Sequence, residues 1–287
     1  MKKMLSAVFA LALATPALNA AELTTRLVEV GIPEAGDAQV AIMVEGEGRV
    51  LWANANDAAL LSALTSAQVE GRTVRVDFNS ADGTLNGVEL LNESLVDEAP
   101  ANSPEKNNFS ASVLDMATAQ TVFDEMDGAT KWRSQCFNRA HGWAYDMHRK
   151  FDVSSQKVFI FFTSKYVKQY KYKWWFHVAP FVLVQDENMS IERVMDVTYM
   201  DVPPTMRDWT NYFMYNDAPC KSVNTYSEYR RNQQAEFCYL IRANMYYRSP
   251  RDLELLETEG REELGWNLSE IREARKQAFR NHRFYNP

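Results

Sequence analysis

Apolar and polar residues alternate along the first third of the chain, in short runs separated by turn residues. A period of two is typical of half-buried β-strands. It predicts strands at residues 27–30, 39–44, 49–52, 73–78 and 87–91, and a short helix over 58–64 that Asp57 can cap. The sequence therefore predicts a small β-rich unit over residues 21–92, which contains neither His nor Cys.

From about residue 113 the pattern changes to helical spacing and to longer apolar runs. Apolar residues every three to four positions predict one helix over 117–126 and another from Cys136 to Phe151. Apolar runs predict strands at 158–162, 177–184 and 191–196, and the last two predicted helices begin at Ser249 and Ser269. We therefore expect a second, α+β domain over residues 113–287.

A polar segment separates these two patterns. Residues 93–112 carry two prolines and show no hydrophobic period, which indicates a linker.

The first 20 residues have the pattern of a secretory signal peptide. Two lysines precede a short apolar run at residues 4–13, and small residues follow up to Ala20. A membrane-spanning helix would need ~20 apolar residues, and this run is shorter. We expect export to the periplasm or the medium, with no membrane attachment once the signal is removed.

Charge divides the chain in the same way as the hydrophobic pattern. Residues 1–112 carry 7 basic and 15 acidic side chains, a net charge of −8, whereas residues 113–287 carry 24 and 23. Neither part has the strong basic excess of a nucleic-acid-binding protein, so no nucleic acid is expected as a partner. The content of 46% hydrophobic residues predicts a packed core and excludes a disordered chain.

Three cysteines are an odd number for an exported protein. Cys220 and Cys238 lie close together among polar and turn residues, and an oxidising compartment favours their pairing as a disulfide. Cys136 is then left unpaired. Two interpretations stay open: a reactive thiol with a function, or a buried inert cysteine.

The surroundings of Cys136 favour the first interpretation. Cys136 begins a predicted helix, where the partial positive charge of the unpaired N–H groups favours a thiolate. A nucleophilic thiolate needs a His as base and acid. His141 and His148 lie on the same helix and point away from its first turn, and His282 lies beside the chain end.

His177 is the remaining candidate, at the head of an apolar strand. Asp196 ends the next predicted strand, so a hairpin at 186–188 would bring it beside His177 to orient the imidazole. Asp201, five residues later, is a competing candidate. A helix bearing Cys packed on an antiparallel sheet bearing His and Asp is the arrangement of papain-like and transglutaminase-like enzymes. The fold predicted is such a catalytic domain, preceded by a small β-rich domain.

Four segments resemble the protein glutaminases, secreted bacterial enzymes that deamidate glutamine side chains in proteins. Three of these segments surround Cys136, His177 and Asp196. The fourth, which is the most specific, is Tyr-Tyr-Arg-Ser-Pro at residues 246–250. The sequence departs from the family at one position: Val197 follows Asp196 where the family has Pro. Asp201 therefore stays open as the carboxylate that orients His177.

The resemblance implies hydrolysis of the γ-carboxamide of glutamine in proteins or peptides by a Cys136–His177–Asp196 triad, without a cofactor. It also implies a pro-region that covers the active site, a role for which residues 21–112 are in the right place. This acidic unit could dock on Lys165, Lys168, Lys171 and Lys173, although a solvated face would explain these lysines as well. A transglutaminase or cysteine peptidase with the same triad, and a non-catalytic periplasmic binding protein, remain alternatives.

Overall fold

The computed structural model describes residues 20–33, 36–91, 110–127, 135–187, 189–260 and 265–279. The predicted signal peptide lies outside the described residues except for Ala20, and most of the predicted linker lies outside them as well. The described residues form two β-sheets with helices packed against them. In these parts of the chain, no helix is both long and apolar enough to cross a membrane.

The first sheet has five antiparallel strands in the order β3-β2-β1-β4-β5, with one helix packed against it. The alternating sequence forms it because one face of each strand is buried: in β4, Val74, Val76 and Phe78 all point into the core. The elements are β1 (Ala20–Val30), β2 (Gln39–Val44), β3 (Leu51–Asn54), α1 (Ala58–Glu70), β4 (Thr73–Asn79) and β5 (Leu85–Leu90).

The second sheet has six strands in the order β10-β11-β7-β8-β6, with β9 paired to β8. The longest pairings, those of β7 with β8 and β11 and that of β8 with β9, are antiparallel. Its strands are β6 (Val113–Leu114), β7 (Gln156–Phe162), β8 (Phe176–Asp186), β9 (Met189–Val194), β10 (Lys221–Ser222) and β11 (Cys238–Asn244).

Seven helices accompany this sheet among the described residues: α2 (Met116–Asp124), α3 (Cys136–Phe151), α4 (Ser164–Tyr170), α5 (Met206–Phe213), α6 (Tyr226–Arg231), α7 (Pro250–Glu259) and α8 (Leu268–Ala278). Helix α3 is central: every residue from Cys136 to Met147 is buried, because β8 covers it on one side and α8 on another. The Asp146 carboxylate of α3 accepts a hydrogen bond of 2.6 Å from Arg275 of α8, which ties the two helices together.

Most predicted elements occur close to their predicted positions. Helices α4, α5 and α6 and strands β6, β10 and β11 were not predicted, and β9 ends at Val194 rather than at Asp196. The Met195 N–H still bonds to the carbonyl of Pro180 on β8, whereas the Val194 N–H bonds to the carbonyl of Pro204, outside the strand pair. Asp196 consequently follows the strand instead of ending it.

The turn between β2 and β3 contacts the second sheet directly. The Val50 N–H donates to the Lys173 carbonyl (2.7 Å), and the Trp175 N–H donates to the Gly48 carbonyl (2.8 Å). Val28, Met43 and Val50 of the first sheet are buried in the hydrophobic core of the second.

In the predicted docking face, Lys168 and Lys171 contact the first sheet unit through their side chains. Lys168 forms an ion pair with Asp37 (3.1 Å), and the Lys171 ammonium lies 5.3 Å from the centre of the Trp52 ring. Lys165 instead lies over the ring of Phe237, and Lys173 contributes its carbonyl to Val50.

Candidate active site

Cys136 is the first residue of α3 and is buried, with 3% of its surface exposed. The preceding residue, Gln135, has extended backbone angles, and its side chain makes no capping bond to the helix. Instead, the Gln135 amide donates to the carbonyl of Gly46. The thiol therefore lies at a helix N-terminus whose partial positive charge is not neutralised by a capping side chain.

His177 lies on β8, opposite Ile160 of β7, and is buried. Its Nε2 is 2.7 Å from Oδ2 of Asp196, and the neighbouring Cys136 thiol contributes to the rise of its pKa. Because Nε2 faces the carboxylate, Nδ1 is the nitrogen left for the thiol. The structure thus brings Cys136, His177 and Asp196 together.

Asp196 is completely buried, and a second donor holds its carboxylate. The indole N–H of Trp209, on α5, donates to the same Oδ2 at 3.0 Å. Asp201, the competing candidate, is exposed to solvent. Of the two aspartates, the structure brings Asp196 to His177.

The pKa values of the two partners shift in opposite directions. Burial favours neutral His177, but the Asp196 carboxylate and the Cys136 thiol outweigh it and raise the pKa of His177 to about 9. Burial likewise favours neutral Asp196, but the His177 charge, the Trp209 N–H and Arg139 hold the pKa of that carboxyl below its ordinary value. The geometry therefore stabilises an imidazolium–carboxylate pair at neutral pH.

Cys136 and His177 line a cavity of about 300 Å³. Its walls are mostly aromatic, and Arg139 lies in it one helical turn beyond Cys136. Tyr212 and Tyr215 are 57% and 69% exposed, so the mouth of the cavity opens between them to solvent. The remaining lining residues are Phe162, Tyr172, Lys173, Trp174, Tyr199 and Phe213.

Neither His141 nor His148 lines this cavity. The buried His141 faces Lys157, with Nδ1 2.8 Å from the Lys157 ammonium, and burial together with this charge holds the pKa of His141 well below its ordinary value. His148 is half-buried beside the ring of Trp266. His282 lies outside the described residues.

The segment at residues 246–250 packs against α3. The Tyr247 carbonyl accepts a hydrogen bond from Lys157, and the Arg248 guanidinium bonds to Oδ1 of Asn138. Ser249 then caps α7 in a capping box with Asp252. This segment thus holds the first two turns of α3, and with them Cys136, against the sheet.

The cysteines are arranged as the sequence predicts. Cys220 and Cys238 form a disulfide with their Cα atoms 4.8 Å apart, and Cys136 is a free, buried thiol.

Residues 107–213 match a protein family described as glutaminase. The matched segment contains Cys136, His177 and Asp196. The resemblance to the protein glutaminases is confirmed. A search of curated proteins finds no match.

Two solved structures are similar in fold to this chain. One is a mutant of pro-protein-glutaminase, with 12% sequence identity and a TM-score of 0.56. The other is pro-protein-glutaminase, with 15% identity and a TM-score of 0.52. Both comparisons cover 79% of this chain and 83% of the other chain. At these identities the likeness extends to the fold, and it confirms the predicted α+β class.

Arg139, Trp209 and Tyr199 are among the site residues that were not identified from the sequence. Arg139 could have been found, because a residue three positions after Cys136 on a helix shares its face. Trp209 and Tyr199 gave no signal, because α5 and the turn before it were not predicted and no spacing rule relates them to Asp196.

Proposed function

We propose that this protein is an exported protein-glutamine deamidase in which Cys136 is the nucleophile, His177 the acid and base, and Asp196 the orienting carboxylate. The observation that carries the proposal is that the Cys136 thiol and His177, which is bonded to Asp196, line the same cavity, whose walls are mostly aromatic. Such an arrangement activates a thiol for attack on an amide.

The reaction follows from these positions. The Cys136 thiolate attacks the Cδ carbon of a glutamine side chain, and the helix N-terminus stabilises the oxyanion that forms. The His177 imidazolium donates its proton to the leaving nitrogen, so ammonia departs and a thioester remains. A water molecule, deprotonated by neutral His177, then attacks the thioester carbonyl and releases glutamate and the thiolate.

We also propose that residues 21–112 are a pro-unit that restricts access to this site. The turn between β2 and β3 bonds to Gln135, next to Cys136, and to residues 173 and 175, just before His177. The Lys173 carbonyl and the Trp175 N–H would otherwise be free to pair with an extended substrate chain. Cleavage in the linker at 93–112, followed by release of the unit, would expose them.

Ammonia release tests the deamidase proposal. We expect the protein to release ammonia from carboxybenzyl-Gln-Gly and from casein, and to release it faster once the linker has been cleaved and the N-terminal unit removed. Cys136→Ala should abolish the release, and His177→Ala should reduce kcat by about 10²–10⁴-fold. His148→Ala is the matched control, because His148 lies on α3 outside the cavity, and it should leave the rate unchanged.

Different outcomes would contradict different parts of the proposal. Cleavage of the casein backbone would favour a cysteine peptidase, and cross-linked casein would favour a transglutaminase. Binding without any turnover would favour a binding protein. Ammonia release that does not rise once the N-terminal unit has been removed would exclude its role as a pro-unit.

A further inference from the structure

The mouth of the cavity contains an exposed cation next to aromatic walls. Lys173 is exposed, and it lines both this cavity and a neighbouring groove, which runs towards the first sheet. In the part of the chain that the structure describes, no ion pair of the Lys173 side chain is present, and its carbonyl accepts a hydrogen bond from the Val50 N–H. The ammonium group is therefore available to a ligand.

The charged groups that line the cavity are all cationic. Among the described residues they are Arg139, Lys173 and His177, and no carboxylate lines it. Asp196, 2.7 Å from His177, balances the charge of the imidazolium, so the exposed positive charge is that of Lys173. A glutamine side chain is neutral, so this field acts on whatever flanks the glutamine.

The aromatic residues suit the remaining parts of such a substrate. Tyr172, Trp174 and Tyr215 offer apolar ring surface for the methylene groups of glutamine and for its backbone. A lysine of the helix that precedes Lys173 already pairs with a carboxylate of the first sheet unit: Lys168 lies 3.1 Å from Asp37.

We infer that this site selects glutamines flanked by acidic residues, and that Lys173 is the residue that determines this specificity. The inference rests on the proposed deamidase function, whose substrate class it narrows. An exposed ion pair changes affinity by about two- to fivefold, and replacing attraction by repulsion enlarges the difference.

The test compares peptides that differ only in charge. Acetylated and amidated peptides Gly-X-Gln-X-Gly, with Glu, Ser or Lys at X, are assayed for ammonia release with the full-length chain and after proteolysis in the linker. We expect kcat/KM to be about two- to fivefold higher for the Glu peptide than for the Lys peptide, and the ratio to shrink in 1 M salt, where the Debye length is about 3 Å. Lys173→Glu should invert the ratio. Lys221→Glu, the same charge reversal on the exposed strand β10, should leave it unchanged.

Binding of the same peptides to the Cys136→Ala protein, measured by calorimetry, separates the proposed deamidase function from the charge specificity assigned to Lys173. Absence of ammonia from every peptide would contradict the deamidase proposal, while the affinities would still report the charge preference. Equal affinity for the Glu and Lys peptides, or an inversion by Lys221→Glu as large as that by Lys173→Glu, would overturn the specificity assigned to Lys173.

Discussion

His177 is held between two groups that both favour its charged form. Asp196 lies 2.7 Å from Nε2, and the Cys136 thiol also raises the pKa of the ring. The rings of Phe213 and Tyr199 pack on the imidazole, with centroids 4.7 Å and 5.2 Å away. The ring is therefore fixed in orientation as well as in charge, which a general acid at a leaving nitrogen requires.

The raised pKa of His177 predicts the pH dependence of the reaction. Since the imidazolium is the acid, kcat/KM should fall as the pH rises through about 9. A pKa raised on folding also contributes stability that is fully present below the unfolded value of about 6.5 and is lost as the pH rises towards about 9. Asp196→Asn removes the attracting charge, so the alkaline limb should move to lower pH and kcat should fall by about 10²–10⁴-fold.

Asp201→Asn is the control for this measurement, because Asp201 is exposed. Its pH profile of kcat/KM should match that of the unaltered protein. An alkaline limb that stays in place in Asp196→Asn, or that moves in Asp201→Asn, would contradict the role given to Asp196.

At the scale of elements, α3 depends on close contact with the C-terminal helix. A Cβ atom added at Gly142 of α3 would lie 2.6 Å from Cε2 of Phe279, whose ring is buried just after α8. Phe279 also packs near Trp143, so its ring has little room to move. The glycine is therefore required by packing rather than by its backbone angles.

Gly142→Ala should destabilise the fold in spite of the higher helix propensity of alanine. Overpacking costs about 1–3 kcal/mol, and the propensity gain offsets about 1 kcal/mol of it, so we expect a net loss of up to about 2 kcal/mol in the free energy of unfolding. Denaturant unfolding measures this loss. Gly265→Ala is the control, because a Cβ there meets nothing within 4 Å. Equal stability of both variants would show that the α3–α8 contact is loose.

The sequence predicts those elements of the site that its local patterns define. The apolar stripe of α3 and the apolar run of β8 place Cys136 and His177 correctly, because period and burial determine these elements. Helix α5 was missed because it has only eight residues, and Trp209 was missed with it. Its bond to Asp196 depends on how the chain folds back after β9, which no local pattern describes.

At the scale of the whole molecule, the two sheets share one core. Met43 and Val50 are almost completely buried, in the same cluster as Phe176 of β8. The contact also buries Glu29, Glu45 and Glu47, and burial raises the pKa of each. A single cut in the linker would therefore leave the N-terminal unit docked, and activation would require that the unit dissociate.

The contact between the two sheets has two consequences for the proposed reaction. The first sheet supports the segment that leads to His177, and it occupies backbone groups beside the cavity. The cavity itself is lined, among the described residues, by residues from Cys136 onward. The pro-unit would consequently restrict the approach of a protein substrate more than that of a small peptide.

The central claim is that Cys136 forms a covalent bond to the glutamine side chain. Rapid mixing of the protein with carboxybenzyl-Gln-Gly, an acid quench and peptide mass spectrometry test this claim most directly. We predict a transient adduct on the peptide that contains Cys136, with the mass of the substrate less ammonia, and no adduct in Cys136→Ala. Ammonia release that persists in Cys136→Ala, or an adduct on another residue, would contradict the account.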